Sequence, residues 1–258
     1  MRTVLFPPQV ASFPAGVRRA LLLRSFLVQG SWNYHTLIGT GFAFVLLPAL
    51  RYVFRGDSEA LQRAVDRHSE LFNSHPYLAG VAAGAVARLE ADGADAELIG
   101  RFKDALRSSL GSIGDQLVWS GWRPAAALFA LALLLAGAPW WLAVATFLLV
   151  YNSLHLWLRV WALDVGIRSG LSVGQALRSA PLQRLGHWAA NAGALLAGFC
   201  ATLAVVGEGS APVELATIGA AAVAGVALGV RARTAVWALL ALAWVGGIMI
   251  GALRGSPN

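Results

Sequence analysis

A long apolar segment near the amino terminus, residues 25–50, is interrupted by a short polar motif, SWNYH, at positions 31–35. Two further polar interruptions lie in apolar surroundings, FNSHP at 72–76 and GSIGDQLVW at 111–119. Within a bilayer, unpaired polar groups and bent backbone are tolerated only where they face protein or a water-filled cavity. Repeated polar breaks in an apolar chain are therefore more typical of a transport path than of a membrane anchor.

The composition indicates an integral membrane protein. Of the 258 residues, 57% are hydrophobic and 13% are charged, whereas soluble domains average about 25% charged residues. The net charge is +7, and the basic residues are all arginines except Lys103. They are spread over short segments between apolar stretches, which is the pattern of cytoplasmic loops and argues against a nucleic-acid-binding surface.

Four regions are expected along the chain. Residues 1–24 predict an amphipathic segment on the membrane surface, and residues 25–123 predict re-entrant and amphipathic helices that carry the three polar motifs. Residues 124–186 predict a helical hairpin with a cytoplasmic loop, and residues 187–258 predict the C-terminal transmembrane spans. The predicted fold class is an all-α integral membrane protein with amphipathic surface helices, re-entrant or broken helices, and about four to five transmembrane spans.

Local signals predict several helix boundaries in the second region. Residues 31–50 predict a re-entrant or broken helix that ends at Pro48. Residues 57–73 predict a water-facing amphipathic helix that is capped by Asp57 and stopped by Pro76.

Small residues and charges shape the expectations for the segments that follow. Gly80 and Gly84 permit residues 78–90, which are too short to span a bilayer, to pack closely against another helix. Residues 95–109 predict an amphipathic helix with its charges in water. Residues 139–158 predict a transmembrane span. The arginines after this span mark a cytoplasmic loop: Arg159, Arg168, Arg178 and Arg184.

Three later spans are predicted over residues 187–206, 213–230 and 234–253, with the loop GEGSAP at 207–212 outside the cell. We identify no signal peptide, and the N-terminus is expected in the cytoplasm and the C-terminus outside.

The SWNYH motif supplies chemistry that suits a sugar. Trp32 and Tyr34 offer aromatic faces, and Asn33 and Gln29 offer hydrogen-bond donors and acceptors. Interfacial anchoring explains the aromatic residues as well, because Trp and Tyr collect at the level of lipid headgroups. The neighbouring asparagine favours a functional role.

The other two motifs are open to two interpretations each. Asn73 and His75 either complete the end of a helix or bind a ligand. Gly111 and Gly114 permit a tight bend. Asp115, which follows it, either caps a helix or has a functional role, because a carboxylate among apolar residues costs free energy unless it is paired or hydrated.

Metal and nucleophile signatures are missing from the sequence. Cys200 is a lone cysteine in an apolar run, and His155 and His187 are isolated histidines that are more typical of a packed core than of a ligand set. We therefore expect no metal, no cofactor and no self-contained catalytic site.

Taken in order and with their spacing, three segments resemble the IID membrane subunit of the mannose/fructose/sorbose family of sugar phosphotransferase systems. They are RSFLVQGSWNYHTLIGTGFAFVLLPAL, RHSELFNSHP and SLGSIGDQLVWSGWRP, and the resemblance runs from about Arg24 to about Ala190. It implies a non-catalytic subunit that forms, with a IIC subunit, the path for mannose-type hexoses or amino sugars. It also implies soluble IIA and IIB phosphocarriers, contact with membrane lipid, a homo-oligomer of the IIC–IID unit, and a location in the bacterial inner membrane.

The resemblance also assigns roles to individual residues. It places Trp32, Asn33, Asn73, His75 and Asp115 in the substrate-binding motifs, and it makes Gly111 and Gly114 the hinge of a moving bend. One departure is that only the short loop 207–212 occupies the place of a polar insertion between the last spans. An alternative is therefore a degenerate paralogue, a structural or regulatory membrane protein without sugar phosphorylation.

Overall fold

The computed structural model describes residues 13–205, and every regular element within them is a helix. The all-α prediction is confirmed for this part of the chain. The predicted spans 213–230 and 234–253 and the loop 207–212 lie outside the described residues. The helices are α1 (Ala15–Ser25), α2 (Gly39–Val53), α3 (Ser58–Ser69), α4 (Ala79–Ala91), α5 (Ala96–Gly114), a π-helix (Asp115–Trp122), α6 (Arg123–Leu135), α7 (Trp140–Ser169), a 3-10 turn (Gly170–Ser172), α8 (Val173–Ser179) and α9 (Leu182–Val205).

The described residues form two compact units. Residues 13–120 and 150–186 belong to the first, and residues 121–149 and 187–205 belong to the second. In the first unit α2 packs against α1, α3 and α4. The core of this unit includes the fully buried side chains of Leu21, Phe42, Leu46, Leu50 and Ile99. In the second unit the buried thiol of Cys200 donates a hydrogen bond to the carbonyl oxygen of Leu128 at 3.3 Å, which fits a packed core cysteine.

Two helical stretches in the described part of the chain are long and apolar enough to cross a membrane, Ala96–Leu135 and Trp140–Cys200. This test rests on length and composition. The expected number of spans and the re-entrant segments stay predictions.

The helix α2 differs from its prediction at both ends. Residues 31–38 form a loop, so the helix begins only at Gly39, and it continues through Pro48 to Val53. Proline lacks the N–H that would bond to the carbonyl of Phe44. Arg24 of α1 donates to that carbonyl instead, so the helix has no unpaired group at this point and does not end.

The cap of α3 is as predicted, but its end is not. The Asp57 side chain accepts the backbone N–H of Ala60 at 2.8 Å, which confirms the predicted cap. The helix ends at Ser69, well before Pro76, because the backbone around Phe72 pairs with a distant segment. Ile38 donates its N–H to the carbonyl of Phe72 at 3.1 Å, and Phe72 donates its N–H to the carbonyl of Thr36 at 3.2 Å.

Close packing of α4 against another helix is confirmed, and the partner is α7. A Cβ atom on Gly84 would lie 2.5 Å from the carbonyl oxygen of Leu163, and one on Gly80 would lie 3.3 Å from the Cβ of Ala162. Gly166 of α7 meets α4 equally closely, at the carbonyl of Val81. Small residues on both helices therefore let the two backbones approach each other.

The helix α7 covers the predicted span over 139–158 except for its first residue, but no loop follows at residue 159, because the helix continues to Ser169. It is a single helix of 30 residues, and it contains Arg159 and Arg168. Arg159 is 5% exposed and hydrogen-bonded inside the fold. Arg168 forms an ion pair with Asp164 one turn earlier. Because both guanidinium groups have partners, neither arginine needs to leave the helix for a loop.

Candidate functional site

The structure joins the three polar motifs into one chain of contacts within the first unit. The loop after SWNYH is tied to the second motif by the backbone bonds between Thr36, Ile38 and Phe72. The second motif meets the third because the side chain of His75 lies against the Cα of Gly114. Residues far apart in the sequence are thereby placed side by side.

The Asn33 side chain organises its own loop. Its Oδ1 atom accepts the backbone N–H groups of His35 and Thr36, both at 2.9 Å. Its Nδ2 atom donates to the Oγ1 of Thr36 at 2.8 Å and to the carbonyl of Ser31 at 3.2 Å. Asparagine is a common residue in such turns because its short amide can bond to backbone two or three residues away. Both ends of the amide are thus engaged in holding the loop.

The aromatic residues of the first motif face outward. The Trp32 and Tyr34 rings contact each other with centroids 4.9 Å apart, and their side chains are 47% and 87% exposed. They form a surface that is accessible in the isolated chain. Sugar contact by Trp32 and Asn33 stays a prediction.

The His75 side chain is buried at the junction of the second and third motifs. Its Nδ1 atom accepts the backbone N–H of Tyr77 at 3.2 Å. Its ring lies 5.0 Å from the Tyr77 ring and 5.1 Å from the Trp119 ring, measured between centroids. Burial, followed by the nearby charges of Arg159 and His155, lowers the pKa of His75 to about 4. The imidazole is therefore neutral at physiological pH. Asn73, by contrast, is exposed.

The backbone at GSIGD is helical, which corrects the predicted tight bend, and of the two roles considered for Asp115 the cap of a new helix after a bend is not observed. The helix α5 runs through Gly111 and Gly114 and passes directly into the π-helix, which Asp115 begins. A Cβ on Gly114 would overlap the His75 side chain, whereas one on Gly111 would meet nothing within 4 Å. Gly114 therefore makes room for His75. Asp115 is exposed, and π-helical segments are frequent at functional sites.

Three residues of α7 complete the cluster around His75, although none of them was predicted as a site residue. Tyr151, His155 and Arg159 follow each other at four-residue intervals, so they share one face of the helix. The Tyr77 ring stacks on His155 with centroids 4.0 Å apart, and the hydroxyl groups of Tyr77 and Tyr151 are hydrogen-bonded. The sequence pattern that could have predicted these site residues is the recurrence of polar side chains at four-residue spacing in an apolar helix.

Arg159 connects this cluster to the end of α1. Its Nε atom donates to the Nε2 of His155 at 2.8 Å, and its Nη1 atom donates to the carbonyl oxygen of Ser25. Its guanidinium lies over the rings of Phe26, at 4.8 Å, and Tyr77, at 5.3 Å. Within residues 13–205 no carboxylate forms an ion pair with it. Carbonyl, imidazole and aromatic groups therefore compensate its charge.

A second buried polar network lies between α3, α4 and α5. The Glu90 carboxylate accepts from Arg67 at 2.6 Å and contacts the Nε2 of the fully buried His68 at 2.7 Å. Lys103 is 5% exposed and donates to the carbonyl of Arg67 at 3.0 Å. The prediction that all charges of 95–109 face water is therefore wrong for Lys103. Its ammonium group is buried because the carbonyl oxygen of Arg67 accepts a hydrogen bond from it inside the fold.

The cluster around His75 has the chemistry of a binding site. It offers imidazole and phenol groups, a fixed guanidinium and aromatic faces: His75, Tyr77, Trp119, Tyr151, His155 and Arg159. In the part of the chain that the structure describes, no three His, Cys, Asp or Glu side chains are grouped so that they would hold a metal ion.

Comparison with known proteins gives a consistent result. Residues 15–219 match the family described as "PTS system mannose/fructose/sorbose family IID component". The chain is 30% identical over 185 residues to the mannose-specific EIID component of Escherichia coli K12, covering 70% of this chain and 65% of that protein. It is 30% identical over 190 residues to the sorbose-specific EIID component of Klebsiella pneumoniae, covering 71% of this chain and 68% of that one. The alignment thus spans slightly less than two thirds of the Escherichia coli relative.

Solved structures share the fold. One, described as a membrane protein, aligns with a TM-score of 0.64 at 27% identity and covers 79% of this chain and 73% of the other. The mannose transporter ManYZ in complex with microcin E492 aligns with a TM-score of 0.58 at 23% identity, over 95% of this chain and 98% of the other. Because the family match covers most of the sequence, the chain belongs to the mannose/fructose/sorbose family of phosphotransferase-system IID components.

Proposed function

We propose that this chain is the membrane subunit that forms, together with a IIC subunit, the translocation path for a mannose-type hexose or amino sugar. The observation that carries the proposal is the buried polar and aromatic cluster around His75 and Arg159 in an otherwise apolar chain. Buried ionisable groups in membrane proteins are costly and mark substrate paths. The family membership and the mannose- and sorbose-specific relatives support a sugar as the substrate.

The proposed partners follow from the same reasoning. In this proposal soluble IIA and IIB subunits carry phosphate to the sugar, and the chain itself contributes binding and positioning groups. The protein lies in the bacterial inner membrane in contact with lipid, crosses it about four to five times, and assembles as a homo-oligomer of the IIC–IID unit. Its N-terminus is in the cytoplasm and its C-terminus is outside. The re-entrant region is 25–123, preceded by the surface segment 1–24 and followed by the hairpin 124–186 and the spans 187–258.

Within the path we assign substrate contacts to five residues and a moving bend to the two glycines of the third motif. Burial next to aromatic rings supports His75, and the exposed aromatic pair supports a contact surface at Trp32. Gly111 and Gly114 lie in the last turn of α5, directly before the π-helix, where the backbone hydrogen-bonding pattern changes. The five residues with proposed substrate contacts are Trp32, Asn33, Asn73, His75 and Asp115.

The decisive experiment is uptake and phosphorylation of labelled sugar by cells that lack their own mannose system. The full chain is expressed with its IIC, IIA and IIB partners, and mannose, glucosamine, fructose and sorbose are tested. Replacing Arg159 by Met removes the buried cation, and replacing the exposed Arg63, which pairs with Glu59, is the matched control. We expect sugar uptake that Arg159→Met reduces strongly and Arg63→Ala leaves unchanged.

Two outcomes would contradict the proposal. A stable membrane complex that takes up none of these sugars would favour the alternative, a structural or regulatory paralogue. Failure to form any complex with a folded IIC subunit would contradict the subunit assignment itself.

A further inference from the structure

The imidazole of His75 presents a buried hydrogen-bond donor without an acceptor. Because Nδ1 accepts the N–H of Tyr77 at 3.2 Å, the proton of the neutral ring is on Nε2. That Nε2 atom is fully covered and has no hydrogen-bond partner among residues 13–205. Native proteins rarely leave a buried donor in this state unless a ligand or a water molecule supplies the acceptor.

The surroundings of His75 fix the direction of this donor. Gly114 lies so close to the imidazole that any side chain there would displace it. The rings of Tyr77 and Trp119 border it at centroid distances of 5.0 and 5.1 Å. His75 is 2% exposed, whereas Trp119 is 39% exposed. Of the two rings that border the imidazole, Trp119 is therefore the one that also reaches the surface.

A fixed donor beside an indole ring matches the two kinds of surface that a sugar presents. A pyranose has hydroxyl groups that accept hydrogen bonds, and it has a face of C–H groups that packs on aromatic rings. We propose that the Nε2–H group of His75 donates a hydrogen bond to one hydroxyl of the transported sugar, with the Trp119 ring packed beside it. This inference rests on the proposed function and adds to it a specificity-determining atom and the aromatic residue Trp119.

Two substitutions of His75 separate the donor from the packing. A glutamine side chain places its amide nitrogen near the position of Nε2, whereas the shorter asparagine reaches only the position of Nδ1. The full chain is purified with its IIC partner in mild detergent, and the Kd for mannose, glucosamine and fructose is measured. We expect His75→Gln to bind within about twofold of the wild type and His75→Asn to bind about three- to tenfold more weakly, as for one lost hydrogen bond.

Monodeoxy analogues of the bound sugar identify the hydroxyl. One analogue is expected to bind the wild-type and Gln proteins more weakly than the parent sugar, while the Asn protein binds both equally. Thermal unfolding of each complex verifies that the variants are folded. If the His75→Asn protein does not assemble, the deoxy analogues still test the inference with the other two proteins. We then expect the wild-type and His75→Gln proteins to lose affinity for the same analogue.

Equal sugar affinity of the wild-type, Gln and Asn proteins would overturn the inference while leaving the transporter function intact, and it would assign Nε2 to a bound water. The inference would also be overturned if the wild-type and His75→Gln proteins lost affinity for different deoxy analogues. A wild-type complex that binds no sugar would overturn the proposed function together with this inference.

Discussion

Arg24 donates a hydrogen bond from Nη1 to the carbonyl oxygen of Phe44 at 3.0 Å, and its guanidinium lies 4.4 Å from the centre of the Phe44 ring. This carbonyl is the group that Pro48 leaves without its helical partner, since a proline in a helix has no N–H to donate to the residue four positions earlier. An arginine of α1 thus repairs the hydrogen-bond pattern of α2.

Replacing Arg24 by Ala is therefore expected to destabilise the protein by about 0.5–1.5 kcal/mol, because the Phe44 carbonyl loses its donor at an exposed position. The change Pro48→Ala restores a helical N–H to the same carbonyl. In that background we expect Arg24→Ala to cost clearly less. Unfolding in detergent, followed by circular dichroism, measures the two costs. Equal costs in both backgrounds would show that Arg24 acts elsewhere.

The two glycines of the third motif are expected to respond in opposite ways to alanine. Gly111→Ala adds a methyl group in open space within a helix, so it stabilises by about 0.5–1 kcal/mol. Gly114→Ala overlaps His75, so it destabilises by about 1–3 kcal/mol. The measurement is thermal unfolding of both variants under the same conditions. Similar effects of the two substitutions would contradict the observed packing of His75 on α5.

The two contacts that tie α1 to α7 are expected to differ in strength. Arg18 and Asp164 form an exposed ion pair at 2.9 Å, so Arg18→Ala is expected to cost less than about 1 kcal/mol. Arg159→Ala removes donors from His155 and from the carbonyl of Ser25, and we expect a cost of about 3 kcal/mol. Chemical unfolding in mixed detergent compares them, and a larger effect at Arg18 would be the contrary result.

Acid is expected to destabilise the protein through His75. Burial, and then Arg159 and His155, lower its pKa from 6.5 to about 4. Between these values the unfolded chain binds a proton at this position and the folded chain does not, so stability falls as the pH falls through this window. The His75→Gln protein lacks this dependence. Its unfolding temperature, measured beside that of the wild type between about pH 7.5 and 4.5, should therefore gain on the wild type as the pH falls. A difference that is independent of pH would contradict the buried neutral state.

Features with local causes were predictable from the sequence. The cap of α3 depends on Asp57 and the residues beside it, and the close packing of α4 depends on Gly80 and Gly84. The order of the three motifs was enough to indicate the family, which the match over residues 15–219 confirms.

Features with distant causes were not predictable in this way. The end of α3 depends on the pairing of Phe72 with a loop more than thirty residues earlier. The burial of Arg159 depends on the carbonyl of Ser25, which lies on another helix. A sequence pattern shows an arginine and not its partner, so charge alone suggested a loop. His75 was selected, but its contact with Gly114 and its fixed tautomer required the three-dimensional arrangement.

The link between the first two motifs is made by main-chain atoms of Thr36, Ile38 and Phe72. Main-chain hydrogen bonds do not depend on which side chains are attached, so the link itself tolerates other side chains at Ile38 and Phe72. Asn33 and Gly39 are different: the Asn33 amide holds the loop through its own hydrogen bonds, and any Cβ on Gly39 would overlap the carbonyl of Glu70. A junction built from main-chain atoms therefore works like a clasp whose closure is insensitive to the side chains at Ile38 and Phe72, whereas substitutions of Asn33 or Gly39 would alter the clasp itself.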